Sequence, residues 1–165
     1  MATVYELLTP EDSRAPDSNA ATVRRVGGAN AATVLAFSDT TAQSARWLLA
    51  VPNYGSGNLT VKVRWTGDTA TTGGVVWGAT LAATTPGDAE VLYTATAGAQ
   101  ATATTTHGGT NAQRLHETTI TVTGLDSLAA GDVAMLEIQR LTADASDTMA
   151  SPALLVDVLV SYSDT

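Results

Sequence analysis

From Thr33 onward, apolar and polar residues alternate over short segments, with turn residues recurring at intervals of about 10 to 15 residues, the pattern of an antiparallel sandwich or barrel. In NLTVKVRWTG, Leu59, Val61, Val63 and Trp65 share one face, while Thr60, Lys62, Arg64 and Thr66 share the other. This is the signature of a half-buried strand. SARWLLAVP sends Ala45, Trp47, Leu49 and Val51 to one side, and the turn from Pro52 through Gly55-Ser56-Gly57 predicts a hairpin between the two segments. GGVVWGATLA places Val75, Trp77, Ala79 and Leu81 together, and ETTITVTG adds Ile120 and Val122.

Near the C-terminus, GDVAMLEIQRL presents Ala134, Leu136 and Ile138 to the core, and ALLVDVLVSY presents Leu154, Val156, Val158, Val160 and Tyr162. The polar turn TADASDTMASP, closed by Pro152, reads as joining these two strands as a second hairpin. Thr33 to Phe37, Glu90 to Thr94 and Gln100 to Thr106 supply further candidates. Eight or nine strands result, and two four-stranded sheets in jelly-roll order close such a set without long exposed edges. The predicted fold is therefore an all-β antiparallel sandwich of jelly-roll type over residues 32–165. No segment requires a helix.

Residues 1–31 read differently. They hold Pro10, Pro16 and a Gly27-Gly28 pair, with possible strands only at Thr3 to Leu8 and near Ala21 to Val26. The expectation is an extended N-terminal arm. Val4, Tyr5, Leu7 and Leu8 are too apolar to be left in water, so they are expected to dock on the chain's own domain or on a neighbouring copy.

Composition agrees with a folded β protein: 44% of the 165 residues are hydrophobic and only 15% charged, far from the signature of disorder. The apolar set leans on Ala and Val with a single Phe, so the core candidates of large volume are Trp47, Trp65 and Trp77, joined by Leu136, Ile138, Val156 and Val158. Exposed tryptophans would offer flat surfaces for stacking on sugars. All three, however, share the inward parity of their strands. A net charge of −8 disfavours nucleic acid and anionic membranes as partners. No apolar run approaches the ~20 residues that cross a bilayer, and the start shows no basic leader, so the expectation is a soluble product of the cytoplasm. With no cysteine there is neither a disulfide framework nor a thiolate metal site.

Little in the sequence points to catalysis, a cofactor or a metal. His107 and His116 are the only histidines, and the HGG at His107 to Gly109 has no G-x-S-x-G elbow beside it, so a glycine turn is the better reading. Asp144, Ser146 and Asp147 offer hard oxygens, but the alternating ligands and closing Glu of an EF-hand loop are missing. No pair of acids is singled out for glycoside hydrolysis, and no phosphate-binding glycine motif is present.

The order of motifs carries a resemblance. P-N-Y-G (Pro52 to Gly55), V-V-W (Val75 to Trp77), L-D-S-L-A-A-G-D (Leu125 to Asp132), Arg140 with D-x-x-D-T (Asp144 to Thr148), and a final strand ending in Tyr162 together resemble a jelly-roll domain of tailed-bacteriophage structural proteins. The resemblance covers roughly Ala32 to Tyr162 and looks like a capsid decoration or head-fibre protein. It implies a non-enzymatic virion component, a homotrimer bound to the major capsid protein lattice on the outer surface of the head, with Val4, Tyr5, Leu7 and Leu8 as its assembly arm. The alternative is a tail-associated receptor- or carbohydrate-binding module.

Overall fold

A computed structural model of the chain describes residues 2–165. Ten strands are formed: β1 (Thr3–Leu8), β2 (Thr22–Val26), β3 (Ala32–Phe37), β4 (Ser44–Val51), β5 (Leu59–Gly67), β6 (Gly73–Thr84), β7 (Ala101–His107), β8 (His116–Val122), β9 (Asp132–Arg140) and β10 (Ala153–Ser163). Among the described residues the one helical element is a 3-10 turn at Pro10–Asp12. All pairings between these strands are antiparallel. They build a six-stranded sheet in the order β2-β3-β10-β5-β8, with β1 also on β10, and a four-stranded sheet in the order β4-β9-β6-β7. The all-β antiparallel sandwich expected from the alternation is the observed class.

The two sheets face each other across a common apolar core. Trp47, Trp65 and Trp77 are buried there with Phe37, Leu136, Ile138, Val158 and Val160. Phe37 meets Trp77 edge to face at 4.9 Å and 84°, the geometry that aligns a ring's positive edge with its neighbour's negative face. Two of the indole N–H groups are satisfied: Trp47 Nε1 donates to the Thr9 carbonyl at 2.8 Å, and Trp65 Nε1 donates to Thr118 Oγ1 at 3.0 Å. Placing the aromatic volume inside thus leaves no tryptophan face free for a ligand.

The predicted hairpins are not hairpins. β4 and β5 lie in different sheets, as do β9 and β10. Alternation reports which face of a strand is buried but not which strand lies beside it, and two sheets about 10 Å apart are easily bridged by such connections. The long turn after β9 crosses between the layers and is held by Arg140, which is wholly buried. Its Nε and Nη2 reach the Asp147 carboxylate at 3.1 and 2.8 Å, while Nη1 and Nη2 donate to the carbonyls of Ser151 and Met149 at 2.8 and 2.7 Å. Asp147 also accepts from the Val76 N–H at 3.0 Å. A charge taken this far from water is tolerable only when paired and fully hydrogen-bonded.

Two assignments within β10, Leu154 and Val156, are corrected by a bulge. The register on β5 shifts between Leu155 and Asp157, leaving Val156 as the extra residue. Side-chain parity reverses there: Ala153 and Leu155 face the core before it, and Val158, Val160 and Tyr162 after it. Leu154 and Val156 turn instead to a second, smaller apolar cluster with Val34 and Ala36. Glu90 to Thr94 is not a strand but part of a long loop between β6 and β7.

The N-terminal segment docks on the chain's own domain, one of the two expectations for it. β1 pairs with β10 over six residues, from Thr3 with Ser163 to Leu8 with Val158, and β2 pairs with β3 over five. Leu8 joins the main core with Val4 packed against it, whereas Tyr5 and Leu7 point outward and are 66% and 53% exposed. The arm's alternation is that of a strand, and an available edge of β10 satisfies its backbone groups.

Candidate functional site

A groove lies on the outer face of the four-stranded sheet. Across β4, β9 and β6, register sets Arg46 beside Glu137 and Glu137 beside Thr80, with Met135 beside Ala82 in the adjacent row. These five side chains form the floor of a groove of about 470 Å³. Inward parity fills the core with Trp47, Leu136 and Leu81, so the intervening residues are forced onto this face.

Two walls rise from the floor. On the β4 side, the chain before β2 runs along the sheet edge: Arg14 and Arg46 exchange backbone hydrogen bonds at 2.7 and 3.1 Å. Arg14 and Asp17 line the groove there. On the β6 side, the β6–β7 loop contributes Leu92, Tyr93, Ala95 and Ala97. The Gly98 N–H donates to the Leu81 carbonyl at 2.8 Å, bringing this wall back against β6. The groove lining is thus mixed in chemistry. Ala82, Met135 and the loop supply apolar and aromatic surface, and Arg14, Asp17, Arg46, Glu137 and Thr80 supply polar groups.

The floor is also electrostatically set. Arg46 Nε donates to Glu137 in an ion pair whose side chains are part-exposed, so guanidinium and carboxylate each keep hydrogen-bonding capacity for a ligand. Tyr93, 72% exposed, supplies the aromatic face of the wall. The chemistry available is recognition: donors and acceptors, with apolar carbon and a ring in the same groove.

None of the residues weighed for chemistry in the sequence lies here. His107 is buried, with Nδ1 3.0 Å from the Thr71 carbonyl and Nε2 3.1 Å from that of Ala112, which removes it from any substrate. His116 stacks on Trp65 at 4.9 Å. Burial pushes its pKa down, assisted by His107 and Arg114. Asp147 is committed to Arg140, and Asp144 accepts from the Ser146 N–H at 2.8 Å, an ordinary turn bond. Among the described residues no group of three or more His, Cys, Asp or Glu side chains is placed to hold a metal ion. Val4 and Leu8 are packed on the core, away from the groove.

Tyr93, Arg46, Glu137 and Arg14 were not legible as a group, because the β6–β7 loop, β4, β9 and the chain before β2 bring them together from distant parts of the sequence. One signal existed: T-T-P-G-D-A-E ahead of Val91-Leu92-Tyr93 marks a turn-rich break before an apolar triplet, which suits a loop better than a strand.

Solved structures share this architecture. Xyl-CBM35, determined in complex with a glucuronic acid containing disaccharide, aligns with a TM-score of 0.53 at 12% identity, covering 96% of this chain and 94% of its own. The carbohydrate binding module CBM6cm-2 from Cellvibrio mixtus lichenase 5A, in complex with cellotriose, aligns at 0.50 and 13% identity, covering 96% and 97%. The fold is the jelly-roll β-sandwich of carbohydrate-binding modules. No protein-family model and no curated protein sequence matches the chain.

Proposed function

We propose that this chain is a non-catalytic carbohydrate-binding module whose ligand lies in the groove over β4, β9 and β6. The observation that carries the reading is the mixed lining of the groove: Tyr93 and Leu92 from the β6–β7 loop and the Arg46–Glu137 pair from the strands line one and the same groove. A pyranose is amphipathic in the same way, with C–H faces that pack on apolar and aromatic surface and hydroxyls at its rim that exchange hydrogen bonds with charged side chains. The likeness of fold to Xyl-CBM35 and CBM6cm-2 supports the same reading. Affinity electrophoresis of the full chain through gels containing soluble xylan, β-glucan, mannan or pectin tests it. Retardation by at least one polysaccharide, lost in Arg46→Ala, is expected; unchanged mobility in all of them overturns the proposal.

The alternative, a trimeric virion protein on a capsid lattice, draws on Tyr5 and Leu7, which leave apolar surface on the outward face of β1. The motifs behind the phage resemblance serve the fold itself: Arg140 with Asp144 to Thr148 holds the crossing turn, and Val75 to Trp77 fills the core. They speak for a jelly roll in general. Light scattering separates the readings, since a monomer of about 17 kDa at high concentration removes the surface trimer while leaving the groove intact.

A further inference from the structure

The β6–β7 loop is built as a strap with fixed feet and a free span. At its start, Thr85 Oγ1 donates to Asp132 Oδ1 at 2.8 Å, and Asp132 also accepts from the Ala129 N–H at 2.7 Å. At its end, Gly98 is tied to Leu81 and pressed against a second glycine: a Cβ on Gly98 would stand 2.3 Å from the Gly124 carbonyl oxygen. Between these feet, the hydrogen bonds of residues 86–97 among the described residues are local, from the Asp88 N–H to Thr85 and from Thr94 to Val91. No bond ties the span to the sheet beneath it.

The span nevertheless carries Val91, Leu92 and Tyr93 in succession, with Val91 58% and Tyr93 72% exposed. Loops of this length without structure of their own are uncommon in compact domains, and are mostly functional or disordered. Of these, Leu92 and Tyr93 line the groove rather than joining the core below it, and so exposed an aromatic side chain as Tyr93 lacks a covering partner. Gly87, at φ +98, gives the first foot a left-handed turn that other residues rarely adopt. The floor it overlooks is about 10 Å across, two inter-strand spacings, so a saccharide lying there has one side on Arg46, Glu137 and Thr80 and the other side in water.

We infer that residues 86–97 close over the bound saccharide, hinging at Gly87 and at the Gly98 foot, and that Tyr93 is the residue that covers the ligand's upper face. Closure moves Leu92 and Tyr93 out of water and onto the sugar's C–H surface, so ligand and strap bury each other. Tyr93 thereby selects sugars with an uninterrupted apolar face over those with an axial hydroxyl on it. The inference rests on the carbohydrate reading of the groove.

The test is an NMR titration of the full chain with xylotetraose, cellotetraose, mannotetraose and trigalacturonic acid, following backbone amide shifts and order parameters, with affinities measured by calorimetry. With any probe that shifts Arg46, Thr80 and Glu137, the order parameters of residues 86–97 are expected to rise toward those of the strands. Tyr93→Ala should bind about tenfold more weakly, and Tyr93→Phe should bind as wild type. A probe that shifts the floor while the strap's order parameters stay unchanged, or a Tyr93→Ala variant of undiminished affinity, overturns the strap inference and leaves the groove reading standing. No binding of any probe, or shifts confined to another surface, overturns both.

Discussion

The ring of His116 lies on Trp65 at 4.9 Å with the planes 30° apart, and His107 stands 4.9 Å from His116 on its other contact. Two imidazoles and an indole thus share one partly dehydrated site, where β5 pairs with the start of β8 and Trp65 faces His116 across the ladder. His116 Nε2 is buried without a hydrogen-bond partner. Adding a proton there places a charge next to His107 and within reach of Arg114, in surroundings that hydrate it poorly.

A pH dependence of stability follows. Burial first, then His107 and Arg114, lower the folded-state pKa of His116 below its ordinary 6.5. In the window between the two values the unfolded chain binds a proton that the folded chain refuses, so unfolding becomes easier as pH falls. Above the ordinary value both states are neutral and this contribution to stability is complete. Melting temperature should therefore drop on acidification through pH 6, and the slope should flatten in His116→Gln. An identical slope in the variant removes His116 as the cause.

The Arg140 clamp predicts a large and one-sided effect. Asp147→Ala leaves a guanidinium buried without its counter-charge, and breaking such pairs costs about 3 to 5 kcal/mol. It also strips an acceptor from the Val76 N–H. Urea unfolding should show that loss in the midpoint with the slope retained. Asp144→Ala, which removes only a turn bond, should stay within about 1 kcal/mol.

At the N-terminus, two neighbouring leucines are expected to respond differently. Leu8 fills the main core, and the Thr9 carbonyl satisfies the Trp47 indole. Leu8→Ala should cost about 2 to 5 kcal/mol, the range for emptying a buried leucine site, whereas Leu7→Ala should be nearly neutral. Equal effects in denaturant titration would place β1 outside the fold.

How far the sequence speaks differs from element to element. Face assignments in β4, β5, β6 and β9 were readable, since each residue there depends only on its own neighbours: Trp47, Trp65, Trp77, Leu136 and Ile138 are where alternation puts them. Val156 was not, because a bulge inserts a residue without leaving a Gly or Pro to mark it. Pairing was not legible either, as both supposed hairpins cross between sheets. The groove depends on that pairing. Arg46 and Glu137 are 91 residues apart in sequence, and nothing local to either announces the other.

That ion pair provides the sharpest separation of binding from folding. Its side chains are 41% and 23% exposed, and pairs so open to solvent contribute about 0 to 1 kcal/mol. Both Arg46→Ala and Glu137→Ala should therefore melt within a few degrees of wild type. Affinity should respond very differently. Each side chain offers a saccharide hydroxyl a charge-assisted hydrogen bond, of about 1.5 to 3 kcal/mol, so each variant should bind at least tenfold more weakly to whichever polysaccharide retards the wild type. The double variant should lose less than the sum of the two, because the partners orient one another. Calorimetry and thermal melts on the same three variants decide the matter. Full affinity in Arg46→Ala and Glu137→Ala, with melting unchanged, would move the ligand off this sheet face altogether.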